Sequence, residues 1–104
     1  MLLIDVVRES GNDTAVIRCS GEIDVATCAA LIETFDTVLP GRPQHLRVDL
    51  QDVRFIDSTG IGCLLHAALQ AQAAGTTFEL LPGEPTLRFI RSSGLGNRLP
   101  IVSA

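Results

Sequence analysis

Short apolar runs alternate with segments of helical periodicity along the 104 residues of this chain. The runs predicted as strands cover residues 4–7, 14–19, 45–50 and 77–81. Gly11-Asn12-Asp13 supplies turn residues between the first two runs, which favours an antiparallel hairpin. Each later strand follows a helical segment, and this order requires parallel pairing through right-handed crossovers. The sequence therefore predicts one α/β domain over residues 1–104. It would contain a mixed, mostly parallel sheet with an N-terminal antiparallel hairpin and helices packed on it.

Three helices are predicted between and after these strands. The first follows Asp24, whose side chain is expected to cap it, and the second runs from about Ser58 to Ala74. The residues that start or stop the helices are Asp24, Pro40, Gly41, Gly75, Pro85 and Gly94. Residues 20–24 are predicted as a loop and residues 53–56 as a second apolar run leading into Asp57. Residues 99–101 are predicted as an edge strand at most, because Pro100 has no ladder donor.

Helical spacing assigns an apolar face to the first two helices. The predicted core positions are Cys28, Leu31, Ile32, Phe35, Val38 and Leu39 in the first helix, and Ile61, Leu64, Leu65, Ala68 and Leu69 in the second. The outer face of the second helix carries Thr59, Gly62, His66, Gln70 and Ala73, with Cys63 and Ala67 at its edge. Small, uncharged residues on this outer face indicate either partner docking or cover by the protein itself.

Composition excludes several classes of function. The net charge of −4 and the lack of Trp and Tyr disfavour nucleic-acid binding, which depends on basic patches and base stacking. No signal peptide is recognised and no apolar run approaches ~20 residues, so we expect a cytoplasmic protein without membrane insertion. The three cysteines fit neither a disulfide framework nor a zinc site, and we expect them to be reduced and buried. No metal or cofactor is predicted.

The segment Phe55-Ile56-Asp57-Ser58-Thr59-Gly60-Ile61-Gly62 is the most informative for function. It places an acid, two hydroxyls and two glycines where an apolar strand leads into a helix. A hydroxyl there lies against unpaired backbone N–H groups and the positive end of the helix dipole. Such a position suits a phosphate group or recognition by a partner protein.

No complete catalytic site is visible in the sequence. Ser58 lacks the Gly-x-Ser-x-Gly frame of a hydrolase, because Ile56 occupies the first glycine position. His66 lies about two helical turns beyond Ser58, and His45 begins a strand whose other end leads toward the site. A phosphate-binding loop is absent and the chain contains no lysine. We therefore predict that the protein is not an enzyme.

The chain resembles the anti-sigma factor antagonists of the STAS domain family. The matching segments are Gly21-Glu22-Ile23-Asp24, Val48-Asp49-Leu50 and Phe55 to Gly62. The resemblance implies binding to an anti-sigma factor with serine kinase activity, which frees a sigma factor. It also implies that the kinase phosphorylates Ser58 and that a metal-dependent serine phosphatase of the PPM type reverses the modification. The expected partner-binding residues are Glu22, Asp24, Asp57, Ser58, Thr59, Gly60, Gly62, Cys63 and His66.

Two alternative functions are compatible with the same sequence. The chain would be a non-phosphorylated STAS subunit of a transport or other regulatory assembly, without phosphate on Ser58 in cells. Otherwise it would be a small-ligand carrier that holds an anion or nucleotide at the same helix N-terminus. The sequence does not indicate an oligomeric state.

Overall fold

A computed structural model describes residues 1–95 and 98–102 and shows strands and helices in alternation. The elements are β1 (Leu2–Glu9), β2 (Thr14–Ile23), α1 (Cys28–Val38), a 3₁₀ turn (Leu39–Gly41), β3 (His45–Ile56), α2 (Ser58–Ala73), β4 (Thr77–Pro82) and α3 (Glu84–Ser92). The predicted order of two strands, helix, strand, helix, strand and helix is confirmed.

The four strands form one mixed sheet in the order β1-β2-β3-β4. Strand β1 runs antiparallel to β2, whereas β2–β3 and β3–β4 are parallel pairs. Because successive strands are neighbours, right-handed crossovers place α1 and α2 on the same face of the sheet. The buried hydrophobic core is formed by β2, β3, β4 and the three helices, and Leu2 and Ile4 of β1 pack against it partly buried. Its largest side chains include Ile17, Leu46, Val48, Leu80, Leu31, Phe35, Ile61, Leu64 and Ile90. The predicted mixed sheet with an N-terminal hairpin is confirmed.

The predicted interruptions of β2 and β3 are wrong. Residues 20–23 continue β2 instead of forming a loop, and β3 runs unbroken from His45 to Ile56. The β2–β3 register shifts between Arg18 and Ser20 and again between Gly21 and Glu22. These bulges let both strands continue through a polar stretch. Gly21 accommodates the register shift with a φ of 110°, a backbone conformation that residues other than glycine rarely adopt.

The ends of the later elements follow the predicted signals. Gly75 and Gly94 adopt positive φ angles of 77° and 78° just after α2 and α3, and Pro85 lies in the first turn of α3. Residues 99–101 do not form a strand, because the only pairing there is a single parallel bridge between Leu80 and Ile101 within the described residues.

The buried face of α2 is rotated by about a quarter turn from the predicted one. Its buried residues are Gly60, Ile61, Cys63, Leu64, Ala67 and Ala71. Leu69 is 65% exposed, and Ile32 of α1 is also exposed, so both were wrongly placed in the core. Because Gly60, Cys63 and Ala67 are small, α2 packs close to its neighbours along this side. For Cys63 and Ala67, small size therefore reflects cover by the protein itself.

Alanine at the two glycines of α2 should have opposite effects on stability. A Cβ atom at Gly60 would lie 2.6 Å from Ile56 Cγ1 and 2.9 Å from the Ile23 carbonyl oxygen, whereas one at Gly62 would have no neighbour within 4 Å. We expect Gly60→Ala to lower the free energy of unfolding by about 1–3 kcal/mol through overpacking. The matched variant Gly62→Ala should raise it by up to about 1 kcal/mol through helix propensity. Urea unfolding of both variants tests this, and equal effects would contradict the close packing of Gly60.

Candidate functional site

The candidate site lies where the carboxyl ends of β2 and β3 meet the first turn of α2. Ile23 and Ile56 are the last paired residues of the two strands. The Asp57 N–H donates to the Ile23 carbonyl at 3.2 Å, and Gly60 packs directly against the same residue. The carboxyl edge of parallel strands is where α/β proteins commonly place their binding sites. The first turn of α2 is thereby held beside the loop that follows β2.

Asp57 caps α2. Its backbone is extended, its carboxylate accepts from the Gly60 N–H at 2.9 Å, and its carbonyl accepts from the Ile61 N–H at 3.0 Å. The Ser58 and Thr59 N–H groups have no acceptor within the helix. The start of α2 therefore offers two backbone donors and the positive end of the helix dipole.

Ser58 and Thr59 are both exposed at this helix start. Ser58 is the first residue of α2, directly after the capping aspartate. The predicted position of Ser58 at the exposed start of the helix is confirmed. Exposure alone does not distinguish the two hydroxyls, because Thr59 also lies at the surface.

The predicted helix cap at Asp24 is wrong. The N-cap of α1 is Thr27, and its side chain makes no capping hydrogen bond. The Asp24 carboxylate instead accepts from the Ala26 and Thr27 N–H groups at 3.0 and 3.1 Å, within the turn before α1. A turn precedes the helix because an aspartate side chain readily accepts from backbone N–H groups two or three residues ahead.

Thr27 completes this turn, and the sequence analysis missed it. Its hydroxyl donates to the Glu22 carbonyl at 2.9 Å and accepts from the Asp24 N–H at 2.9 Å. The Asp-x-x-Thr spacing was the available signal, since both side chains are short enough to bond to the intervening backbone. The pair fixes the loop that faces α2.

Glu22 is held by two cationic groups. Its carboxylate oxygens lie 2.8 Å from the Met1 amino nitrogen and 2.6 Å from an Arg54 guanidinium nitrogen. Hydrogen bonds from Met1 and then from Arg54 lower the pKa of Glu22 to about 2. Its negative charge is therefore partly neutralised by the Met1 amino group and Arg54.

Some of the predicted partner-binding residues of α2 are exposed and others are buried. Gly62 and His66 are exposed on the same side of α2 as Ser58. Gly60 and Cys63 are buried, so neither is exposed for direct contact with a partner. Burial raises the pKa of the Cys63 thiol to about 12. All three cysteines are buried, as predicted.

Three large apolar side chains are exposed on the elements that form the site: Val25 follows β2, Phe55 lies near the end of β3, and Leu69 lies about three turns beyond Ser58 in α2. Val25 is 77% exposed, Phe55 51% and Leu69 65%. Strand alternation was the signal for Phe55, because the buried Ile56 turns its neighbour outward. Exposed apolar groups near a polar centre are typical of protein interaction sites.

The described residues give little support for a metal site, a membrane-spanning helix or a histidine base beside Ser58. Within residues 1–95 and 98–102, no group of three His, Cys, Asp or Glu side chains is arranged to hold a metal. No helix in this part of the chain is long and apolar enough to cross a membrane. His45 lies at the opposite end of β3 from Ser58, with its Nδ1 3.9 Å from Glu79.

Comparisons with known proteins give a consistent family. The family model described as "Mlab, STAS domain" matches residues 6–103. The anti-sigma-F factor antagonist RsfB of Mycobacterium tuberculosis is 39% identical over 101 residues, which cover 96% of this chain and 82% of that protein. An anti-sigma factor antagonist from Mycobacterium paratuberculosis has a similar crystal structure, with a TM-score of 0.82 and 29% identity over 97% of this chain and 85% of the other. The Bacillus cell fate determinant SpoIIAA in its phosphorylated form gives a TM-score of 0.72 at 25% identity, over 98% and 91% of the two chains.

Replacing the capping aspartate should separate its hydrogen bond from its charge. We expect Asp57→Ala to lower the free energy of unfolding by about 0.5–2 kcal/mol, because the Gly60 N–H loses its acceptor. Asp57→Asn keeps an acceptor oxygen and should retain most of the stability. Thermal and urea unfolding of the two variants measures the difference. An Asp57→Ala variant as stable as the wild type would contradict the capping role.

Proposed function

Because the chain belongs to the STAS domain family, we propose that it is an anti-sigma factor antagonist switched by phosphorylation of Ser58. It binds an anti-sigma factor and so frees a sigma factor, and phosphate on Ser58 stops this binding. The observation that carries the proposal is the exposed Ser58 hydroxyl, the first residue of a helix capped by its neighbour Asp57. The two relatives named as anti-sigma factor antagonists support the same function.

Electrostatics explains how a phosphate would act there without refolding the protein. A phosphoserine carries about −1.5 to −2 charges at neutral pH. The Ser58 and Thr59 N–H groups are available to stabilise it, while the Asp57 cap keeps its own bond to Gly60. Asp24 and Asp57 already make the surface acidic, so the added charge would repel an acidic partner surface and would lose its hydration against an apolar one. A penalty of about 4 kcal/mol would weaken binding roughly a thousandfold.

We assign the docking surface to the exposed side of α2 and its apolar surroundings. Gly62 and His66 follow Ser58 along the helix, and Phe55, Val25 and Leu69 contribute exposed apolar area. Gly60 and Cys63 act from beneath, because they set how closely α2 packs on the fold. Glu22, Asp24 and Thr27 shape the neighbouring loop.

The proposed partners catalyse the addition and the removal of the phosphate. An anti-sigma factor with serine kinase activity transfers phosphate to Ser58, and a PPM-type serine phosphatase removes it. Both reactions take place in the cytoplasm, where the protein serves as substrate and binding module rather than as an enzyme. Neither histidine is placed as a base for Ser58: His45 lies at the far end of β3, and His66 lies two turns along α2.

Mutation of the two hydroxyl residues should identify the phosphorylated one. Incubation with the cognate kinase and ATP should modify the wild type and Thr59→Ala but not Ser58→Ala. Ser58 directly follows Asp57, and the β-branched Thr59 side chain is stiffer. Peptide mass spectrometry identifies the phosphorylated residue. Phosphate at Thr59 in the Ser58→Ala variant would overturn the assignment.

A capture experiment in the native host tests the function as a whole. Wild-type bait should recover an anti-sigma factor with an ATPase fold, and Ser58→Asp bait should not. Equal recovery by both baits, together with no phosphate on Ser58 in cells, would instead indicate a non-phosphorylated STAS subunit.

A bulky cation on the docking surface should block binding without unfolding the protein. Gly62→Arg adds its side chain to open space, so the melting temperature should not fall. We expect affinity for the anti-sigma factor to drop at least about tenfold, which corresponds to about 1.4 kcal/mol. Gly11→Arg adds the same side chain to open space in the turn between β1 and β2, at the opposite end of β2 from the site, and is the matched control. Calorimetric titration of both variants measures the effect, and unchanged affinity for Gly62→Arg would remove this face from the interface.

A further inference from the structure

The two edges of the sheet differ in how far their backbone groups are covered. At the β4 edge, the Leu80 N–H donates to the Pro100 carbonyl at 2.9 Å, and the Val102 N–H donates to the Leu80 carbonyl at 2.8 Å. The tail thus covers this edge, and Pro100 offers no donor for further pairing. At the other edge, β1 pairs with β2 alone among the residues that the structure describes.

Strand β1 has neither the proline nor the bulge that protects many edge strands, and its charged residues are Asp5, Arg8 and Glu9. Its eight residues contain neither proline nor lysine, and all eight pair with β2 without a register shift. Leu3 is 61% exposed, Val6 46% and Val7 40%, so apolar side chains are exposed on both faces of the strand. A long, regular, apolar edge strand is a template for pairing with another strand.

Hydrogen-bond alternation shows which backbone groups point outward. The Met1 carbonyl accepts from the Glu22 N–H at 3.2 Å, which places residue 1 in a hydrogen-bonded pair with β2. Residues of an antiparallel strand alternate between the two sides. The odd residues of β1 therefore bond to β2. The N–H and C=O groups of Leu2, Ile4, Val6 and Arg8 point to the free edge.

We propose that β1 pairs with β1 of a second copy of this chain, antiparallel and centred on Val6. In this register Val6 lies opposite Val6 of the second copy, Ile4 opposite Arg8, and Asp5 opposite Val7. The outward groups then exchange about six N–H···O bonds across the seam.

Charge selects this register from its symmetric neighbours. A pairing centred on Asp5 would place the two Asp5 carboxylates opposite each other. A pairing centred on Val7 would place Asp5 opposite Glu9 twice. Like charges directly opposite on a sheet are destabilising, and the register centred on Val6 avoids them.

A groove beside β1 adds apolar contact to the backbone bonds. It has a volume of about 500 Å³ and lies between β1 and α1. Its apolar lining residues are Leu2, Ile4, Val6, Ala30 and Val38, and its polar ones are Glu33, Thr34 and Thr37. A two-fold axis perpendicular to the sheet would place both α1 helices on the same face. The two grooves would then join across the seam, and the exposed Val6 side chains would be covered.

Cysteine substitution tests the register directly. In the proposed pair the two Val6 Cα atoms lie about 5.5 Å apart, within the range that a disulfide spans. The two Leu3 residues lie about 20 Å apart, six residues along the strand. Under mild oxidation Val6→Cys should form a covalent dimer readily. Leu3→Cys should not, although Leu3 is the more exposed of the two. Equal crosslinking of both variants, or crosslinking of Val7→Cys in place of Val6→Cys, would overturn the proposed register.

The oligomeric state of the unmodified chain tests the interface without crosslinking. Light scattering across a concentration series should show a dimer for the wild type. Val6→Pro removes only an outward N–H and keeps the β1–β2 ladder, so it should raise the dimer dissociation constant at least about tenfold while the chain stays folded. Circular dichroism melting confirms the fold of this variant. A wild type that stays monomeric at its highest soluble concentration, or a folded Val6→Pro variant that dimerises equally well, would overturn the proposal.

Discussion

The contact between Gly60 and the end of β2 fixes where α2 begins and therefore where the candidate site lies. Only a residue without a side chain fits there, because a Cβ atom would lie 2.9 Å from the Ile23 carbonyl oxygen. The Asp57 N–H bonds to the same carbonyl, so one hydrogen bond and one missing side chain fix α2 to the strand ends. This anchoring sets the direction of α2 and brings its first turn beside the Asp24 loop. The exposure of Ser58 follows from it.

Much of the fold was predictable because local signals and long-range packing agree. The turn at Gly11-Asn12-Asp13 closes the hairpin, and Gly75 ends α2 where the sequence predicts. The bulges of β2 were not predictable, because they depend on the register with β3, a strand about thirty residues away. The buried face of α2 was misplaced for a related reason. Helical spacing assigns large apolar residues to the core, but a closely packed helix buries its small ones, and Leu69 is left outside.

The candidate site was predicted in its centre and missed at its margins. Ser58 and the residues around it form one motif, so their adjacency needed no tertiary information. Thr27 and Val25 join the site only because β2 ends beside α2, and Asp24 orders a turn rather than the helix itself. Cys63 was predicted to contact a partner because it is small and close to Ser58, but it is buried in the core. The exposure of Phe55 follows from strand alternation once its neighbour Ile56 is known to be buried.

The pairing pattern of β2 also bears on how the chain assembles. Strand β2 reaches β1 through a four-residue turn, whereas each parallel pair joins partners about thirty residues apart, as Thr14 with His45 and His45 with Thr77. Closing such loops costs conformational entropy before the strands make stabilising contacts, so parallel pairing is slow. Hairpins, in contrast, form in microseconds. The hairpin is therefore the part of the sheet that can form first, and it is also the first part to leave the ribosome. Until β3 arrives, the inner edge of β2 with its apolar Ile17 is unprotected, so nascent chains are most prone to associate during this interval.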